Sequence, residues 1–210
     1  MTHFAVAVIA EEGQQVDDLL APYQENTCGT PSYEYMEFYG CEQCSMFEDG
    51  CEDCSVDPLT GKRGYWENPN ATWDWYDDTG GRFKGWAEEF GVGAGKRISD
   101  IEYPSEEQRA KAEKWYDENV DEDGKLHDLF GWTWGYAVGM TRGRLAEIRS
   151  HLSFRCVVTP DGEWHECGDT GWWGYYGENP DEVLEWALKF EERFLEPYRD
   201  CTLTVVDCHI

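Results

Sequence analysis

Four cysteines constrain this chain more than anything else in it. They read Cys41-x-x-Cys44, then six residues, then Cys51-x-x-Cys54. Each Cys-x-x-Cys pair can offer two thiolates to one ion, and four thiolates close a tetrahedral shell. Thiolate ligands favour zinc, and a closed Cys₄ shell leaves no position open for a substrate. The sequence therefore predicts a structural zinc site on Cys41, Cys44, Cys51 and Cys54. Two alternatives stay open: Cys28 replacing one of the four, and redox use of the thiols. Any fold that ignores this staple has to explain a turn built around Gly50 and flanked by Glu48, Asp49, Glu52 and Asp53.

The rest of the composition sets limits. The 210 residues suit one domain with an insertion, or two small ones. The nine cysteines, an odd number with two tight pairs, suit metal-bound and free thiols in a reducing compartment better than a disulfide framework. No apolar run approaches the ~20 residues of a membrane helix. The apolar start, Phe4 to Ile9, has no Lys or Arg before it and reads as a strand, not a signal peptide. A cytoplasmic protein is expected. The formal charge of −27 opposes direct contact with a nucleic-acid phosphate backbone. It fits a solvated surface, a high-salt setting, docking on a basic protein, or mimicry of nucleic acid.

Periodicity places the elements. Residues 3–9 form an apolar β run, and Val16, Leu19 and Leu20 fall at helical spacing ahead of Pro22. Residues 154–159 are strand-like, Pro160-Asp161-Gly162 is a turn, and 163–167 reads as the returning strand of a hairpin. Asn179-Pro180-Asp181-Glu182 opens a helix that carries Val183, Trp186, Ala187, Phe190 and Phe194 on one face. Residues 203–210 form a last strand. The order strand, helix, strand, strand, helix, strand predicts an α+β fold, a ferredoxin-like split βαβ antiparallel sheet in spatial order 4-1-3-2. Residues 1–23 and 151–210 make this frame. Residues 24–150 are a long insertion, with the zinc knot in 24–62 and an aromatic-rich segment with helices in 63–150. One helix starts where Ser105 and Gln108 form a capping box. Another is Arg142 to Ser150, a basic island. Gly131 to Tyr136 is too glycine-rich to assign.

Two constellations carry candidate chemistry. In Trp73-Asp74-Trp75-Tyr76, alternation puts Trp73 and Trp75 on one strand face and Asp74 and Tyr76 on the other. Gly80-Gly81 then turns the chain, and Arg82 starts a return strand. This is either an aromatic hairpin with Asp74 paired to Arg82, or a ligand pocket. In the pocket reading Trp73, Trp75 and Tyr76 form a stacking wall, and Arg82 holds an anionic group. The second constellation follows from the topology. His3, His165 with Cys167, and Asp207-Cys208-His209 gather at one end of the sheet, with Cys208 on the face opposite Asp207 and His209. They offer a transition-metal site with an open position, a Cys208 nucleophile with His165 or His3 as base, or simply core packing and local hydrogen bonds.

The residues just quoted also carry a resemblance. Thr2 to Val8, Asn68-Pro69 with Trp73-Asp74-Trp75-Tyr76 and Gly80-Gly81-Arg82, Thr159 to His165 with Gly171-Trp172-Trp173-Gly174, and Val205 to Ile210 together resemble a family of small hypothetical proteins of phages and actinobacteria. Some members of that group carry a Cys-x-x-Cys insert in a similar place. This chain departs from the pattern at Asp77-Asp78-Thr79, where an apolar turn with glycine is usual. The resemblance implies a phage-type origin and brings no catalytic residues with it.

The expectation is thus an acidic, phage-type accessory protein with a structural zinc. It would bind a host protein or a small ligand, with anti-defence as one setting. The alternative is a hydrolase or transferase centred on Asp74, Arg82, His165, Asp207, Cys208 and His209. A small-molecule sponge needs only the aromatic pocket.

Overall fold

The computed structural model describes residues 3–25, 33–42, 44, 54–92, 95–103, 105–120, 141–168 and 180–209. Cys28, Gly50, Cys51, Gly131 to Tyr136, Gly171 to Gly174, Asn179 and Ile210 lie outside them.

The strands, in chain order, are β1 (His3–Ala10), β2 (Glu37–Gly40), β3 (Ser55–Val56), β4 (Arg63–Glu67), β5 (Trp75–Asp77), β6 (Lys96–Arg97), β7 (Cys156–Val158), β8 (Trp164–Glu166) and β9 (Thr202–His209). The helices are α1 (Val16–Leu20), α2 (Lys84–Glu89), α3 (Glu106–Asn119), α4 (Arg142–Ser150) and α5 (Pro180–Phe190). Two sheets result, and the fold is mixed α+β.

The larger sheet has the order β5-β9-β1-β7-β8, with β6 also pairing to β9. The first and last strands are antiparallel neighbours over their whole length, from His3 opposite His209 to Ala10 opposite Thr202. That pairing was expected. The position of the hairpin was not. β1 pairs with β7 in parallel, Val6 opposite Cys156 and Val8 opposite Val158, and β8 lies outside β7. In frame numbering the order is 4-1-2-3, so the expected all-antiparallel 4-1-3-2 order is corrected. The cause is legible in the side chains. Cys156, Val157 and Val158 are buried on both faces, as an interior parallel strand requires. Trp164-His165-Glu166 is half-buried. Exchanging the two strands would drive Glu166 into the sheet interior at the cost of an unpaired buried charge. β5 and β6, from the stretch between the two halves of the frame, complete the edge beyond β9.

Strand alternation divides the large sheet into two faces. Ala7, Ile9, Val157, Leu203 and Val205 pack under α2 and α5, against Ala87, Phe90 and Phe190. The wide turn Glu191–Leu195 continues α5 and adds Phe194 and Leu195 to that layer. Phe4, Val6, Val8, Val158, Val206 and Cys208 pack on the other face against Leu19 and Leu20 of α1 and against Trp73. A sheet covered on both sides explains why β1 is an unbroken apolar run; each such Val or Ile stabilises the fold by roughly 1.5–3 kcal/mol on burial. An outer layer joins α3, α4 and α5 through Trp115, Leu145, Ile148 and Ala187.

Local chemistry fixes the ends of these pieces. The Ser105 hydroxyl accepts from the Gln108 amide at 3.3 Å and caps α3. The other half of the expected capping box is absent, because the Gln108 side chain donates to Glu89 instead, at 2.8 Å. Thr141 caps α4 in the same way as Ser105 caps α3. Buried Asn68 donates to the carbonyls of Pro22 (2.7 Å) and Gln24 (3.0 Å), which ties the chain leaving α1 to the approach to β5. The smaller sheet has the order β2-β4-β3, all antiparallel.

Candidate functional site

The small sheet carries the first candidate site. β4 is its central strand. Cys41 follows β2 directly and its amide donates to the Arg63 carbonyl at 3.1 Å, on one side of β4. Cys54 precedes β3, whose Ser55 pairs with Gly64 on the other side. Only glycine fits at 64, since a Cβ there would sit 2.7 Å from the Phe38 ring and closer still to the Tyr39 carbonyl. The two neighbouring strands thus bring Cys41 and Cys54 to the first half of β4 from either side. The sulfurs of Cys41, Cys44 and Cys54 all lie within 4.8 Å of one another, and among the described residues they are the one group of three or more ligand atoms this tight. Tetrahedral Zn–S bonds of ~2.3 Å require S···S separations of about 3.8 Å, so the cluster needs only a small closure around an ion. Without one, the thiols crowd: the hydrogen bond with Cys44, then desolvation, then Cys41, push the Cys54 thiol up to about 12. Together the three sulfurs could hold a metal ion. Cys51, the expected fourth ligand, is outside the described residues.

The same sheet has an open face. Alternation places Glu37 and Tyr39 of β2, Arg63, Tyr65 and Glu67 of β4, and Val56 of β3 on one side, and all six are exposed. Tyr39 and Tyr65 stack at 5.9 Å with an interplanar angle of 21°. Beside them Glu37 and Glu67 face each other directly across the strands. The Tyr39 hydroxyl donates to Glu37 at 3.1 Å, and this bond raises the Tyr39 phenol above its ordinary value.

The second candidate site is the end of the large sheet where β1, β9 and β5 meet. His3 pairs with His209, and Trp75 pairs with His209 from the other side. His3 Nδ1 lies 2.9 Å from Asp207 Oδ1, and His209 Nδ1 lies 2.6 Å from Asp74 Oδ1. The Arg82 amide donates to the second oxygen of Asp207 at 2.9 Å. This approach depends on Gly81, which has φ +43°, and whose Cβ would sit 2.7 Å from that of Asp207. The two imidazoles meet edge to face at 5.1 Å, and Trp75 stacks on His209 at 5.1 Å. His209 Nε2 is buried and has no hydrogen-bond partner among the described residues.

Of the residues singled out from sequence, then, the rim unites His3, Asp74, Trp75, Asp207, His209 and the backbone of Arg82. Several expectations are corrected. Arg82 starts no return strand; it lies in the tight turn Gly81–Phe83 that feeds α2. Asp74 is bonded to His209 and not to Arg82. Trp73 and Trp75 do not share a face. Trp73 bridges to Gln24 before β5 begins, which breaks the alternation, so it is buried edge-on to Tyr76 while Trp75 points to the other side. The aromatic wall is therefore split by the sheet. His165 and Cys167 are not at the rim. His165 lies opposite Val157, level with Ala7 in the middle of β1, and packs on Phe194. Cys208 faces the opposite layer from both His3 and His165. Burial, with Cys156 and Asp207 adding, holds its thiol well above the ordinary range, and it packs in the layer away from those bases. The link of Asp74 to His209 was missed from sequence; pairing the short run at 75–77 with the terminal strand would have exposed it.

Among the described residues no helix is long and apolar enough to cross a membrane. Comparison with protein-family models, curated proteins and solved structures finds no match for this chain.

Proposed function

We propose that this chain is an acidic binding protein. A zinc ion on Cys41, Cys44, Cys54 and Cys51 holds the small sheet in shape, and its open face docks on a Lys- or Arg-rich segment of a basic protein. The observation that carries the reading is the exposed Tyr39–Tyr65 stack set beside the opposed Glu37 and Glu67. Like charges directly across a strand pair destabilise it, so this face is arranged at a cost to its own stability. A cationic side chain seated there relieves the repulsion and gains the faces of two phenol rings. Apolar exposure agrees: Tyr39, Val56, Leu59 and Tyr65 account for four of the six exposed large apolar side chains among the described residues. The net charge of −27 would steer a basic partner towards it over long range. A phage-type accessory role, with a host protein as target and anti-defence as one setting, is the context the sequence resemblance suggests.

The test is a calorimetric titration with a synthetic Lys/Arg-rich peptide at low and at physiological salt. Saturable binding that falls about tenfold in Glu37→Gln/Glu67→Gln and again in Tyr39→Ala/Tyr65→Ala supports the reading, provided that metal content is unchanged. Binding that is indifferent to all four substitutions, or follows total charge alone, removes it. A host protein captured by wild type and lost by the same variants would identify the target.

A further inference from the structure

We infer that His3 and His209 form a second metal site, separate from the cysteines, which takes a borderline divalent ion such as Zn(II) or Co(II) through their Nε2 atoms.

The argument begins with proton positions. A carboxylate only accepts hydrogen bonds. Asp207 therefore fixes the proton of His3 on Nδ1, and Asp74 fixes that of His209 on Nδ1. Both rings are left with Nε2 as the lone-pair atom. An imidazole whose Nδ1–H is held by a carboxylate is the usual arrangement of a metal-ligating histidine, because the carboxylate sets the tautomer, aims the ring and raises its basicity. Here the arrangement occurs twice, on adjacent paired strands.

Burial gives the second observation. The His209 side chain is only 6 % exposed, and its Nε2 has no partner among the described residues. A buried acceptor left without a partner costs on the order of 1–3 kcal/mol, which a metal ion would offset. Trp75 covers one face of the ring, which would shield such an ion from water.

Proximity gives the third. The ring centroids are 5.1 Å apart, within the span that one ion can bridge once the rings turn from their 78° edge-to-face contact to aim both Nε2 atoms at it. No third protein ligand among the described residues joins them as tightly as the cysteines join one another. The remaining positions are thus open to water or to a ligand, unlike those of the cysteine shell. Asp207 is itself positioned by the Arg82 amide, which only a glycine at 81 permits. The Gly80-Gly81-Arg82 segment thereby becomes part of the support for His3.

Cobalt separates the two sites by colour, because thiolate ligation gives intense charge-transfer bands and nitrogen ligation does not. Wild type titrated with Co(II) should show two classes of site. Cys44→Ser should weaken the thiolate class and spare the other. His3→Gln and His209→Gln should each abolish the second class, and Asp74→Asn should weaken it 10- to 100-fold. A single class in wild type, or a second class untouched by both histidine substitutions, overturns the inference. A measurement on the unaltered protein guards against variants that misfold. Zn(II) added to wild type should shift the ¹⁵N resonance of His209 Nε2 far more than that of Nδ1, and an unmoved Nε2 overturns the inference equally.

Discussion

In the six-stranded sheet Val6, Val8, Val157 and Val206 are fully buried, and helices cover one face and a helix with Trp73 the other. In the three-stranded sheet one whole face is open, and its second face rests on the edge contact of Phe38 with Trp66, at 5.3 Å. A sheet this short, with so little apolar surface buried between its own strands, is marginal in water without further support. One region is stabilised by removing apolar surface from water; the other buries little, and on the reading proposed above it would be held by an ion on the clustered Cys41, Cys44 and Cys54. The difference has a consequence for recognition. The small sheet leaves the side chains of one face exposed, whereas those of the large sheet are committed to the core.

The sharpest way to break this contrast is to remove the staple. Cys44→Ser, or a strong chelator, should release the metal and erase amide protection across 37–67, since structural zinc in small modules supplies about 10–16 kcal/mol of apparent folding energy. The large sheet should keep its protection, as none of its strands among the described residues lies in that segment. Hydrogen exchange with elemental analysis reads both at once. Joint collapse of the two sheets would show that they are one cooperative unit.

The reciprocal experiment is smaller in energy. Phe190 is fully buried between Phe154, Trp186 and Phe194. Phe190→Ala should cost about 3–5 kcal/mol in chemical denaturation of the large sheet. Metal stoichiometry at the cysteines should stay at its wild-type value. Loss of metal in this variant would mean that the module leans on the core after all.

The two regions were also unequally legible in the sequence. Cysteine spacing predicts a shell of Cys41, Cys44, Cys51 and Cys54, of which the three described members cluster, because ligand geometry constrains sequence separation directly. The pairing of β1 with β9 followed from two long apolar runs, and with it the convergence of His3, Asp207 and His209 on one face. The hairpin was legible as a hairpin, but its placement was not. The contrast between buried Cys156-Val157-Val158 and half-buried Trp164-His165-Glu166 decides which strand belongs inside, against the general strand order. β5 and β6 are three and two residues long. A strand is legible around 73–76, but runs that short do not say which strand they pair with, so their addition to the edge beyond β9, and with it the reach of Asp74 to His209, is not legible. The parity error at Trp73 has a local cause: the bridge to Gln24 holds that residue outside the strand.

The finest distinction between the regions lies in two tyrosines whose phenols are both raised, for different reasons. The hydrogen bond to Glu37 is the chief cause at exposed Tyr39. At Tyr76 burial comes first, followed by its hydrogen bond to Asp17. In both, the fold favours the neutral phenol. The contribution is therefore complete below the ordinary phenol value of 10.0 and is lost as the pH climbs above it towards the raised value. For Tyr39 the loss is confined to a surface contact. For Tyr76 it charges a ring packed edge-on to Trp73 in the layer beneath β9. Raising the pH from about 9 to about 11.5 should then lower the melting temperature of the large sheet more in wild type than in Tyr76→Phe. Tyr39→Phe should follow the wild-type curve. If instead Tyr39→Phe flattens the alkaline limb, the small sheet reports on the stability of the large one, and the two are coupled through more than the chain that joins them.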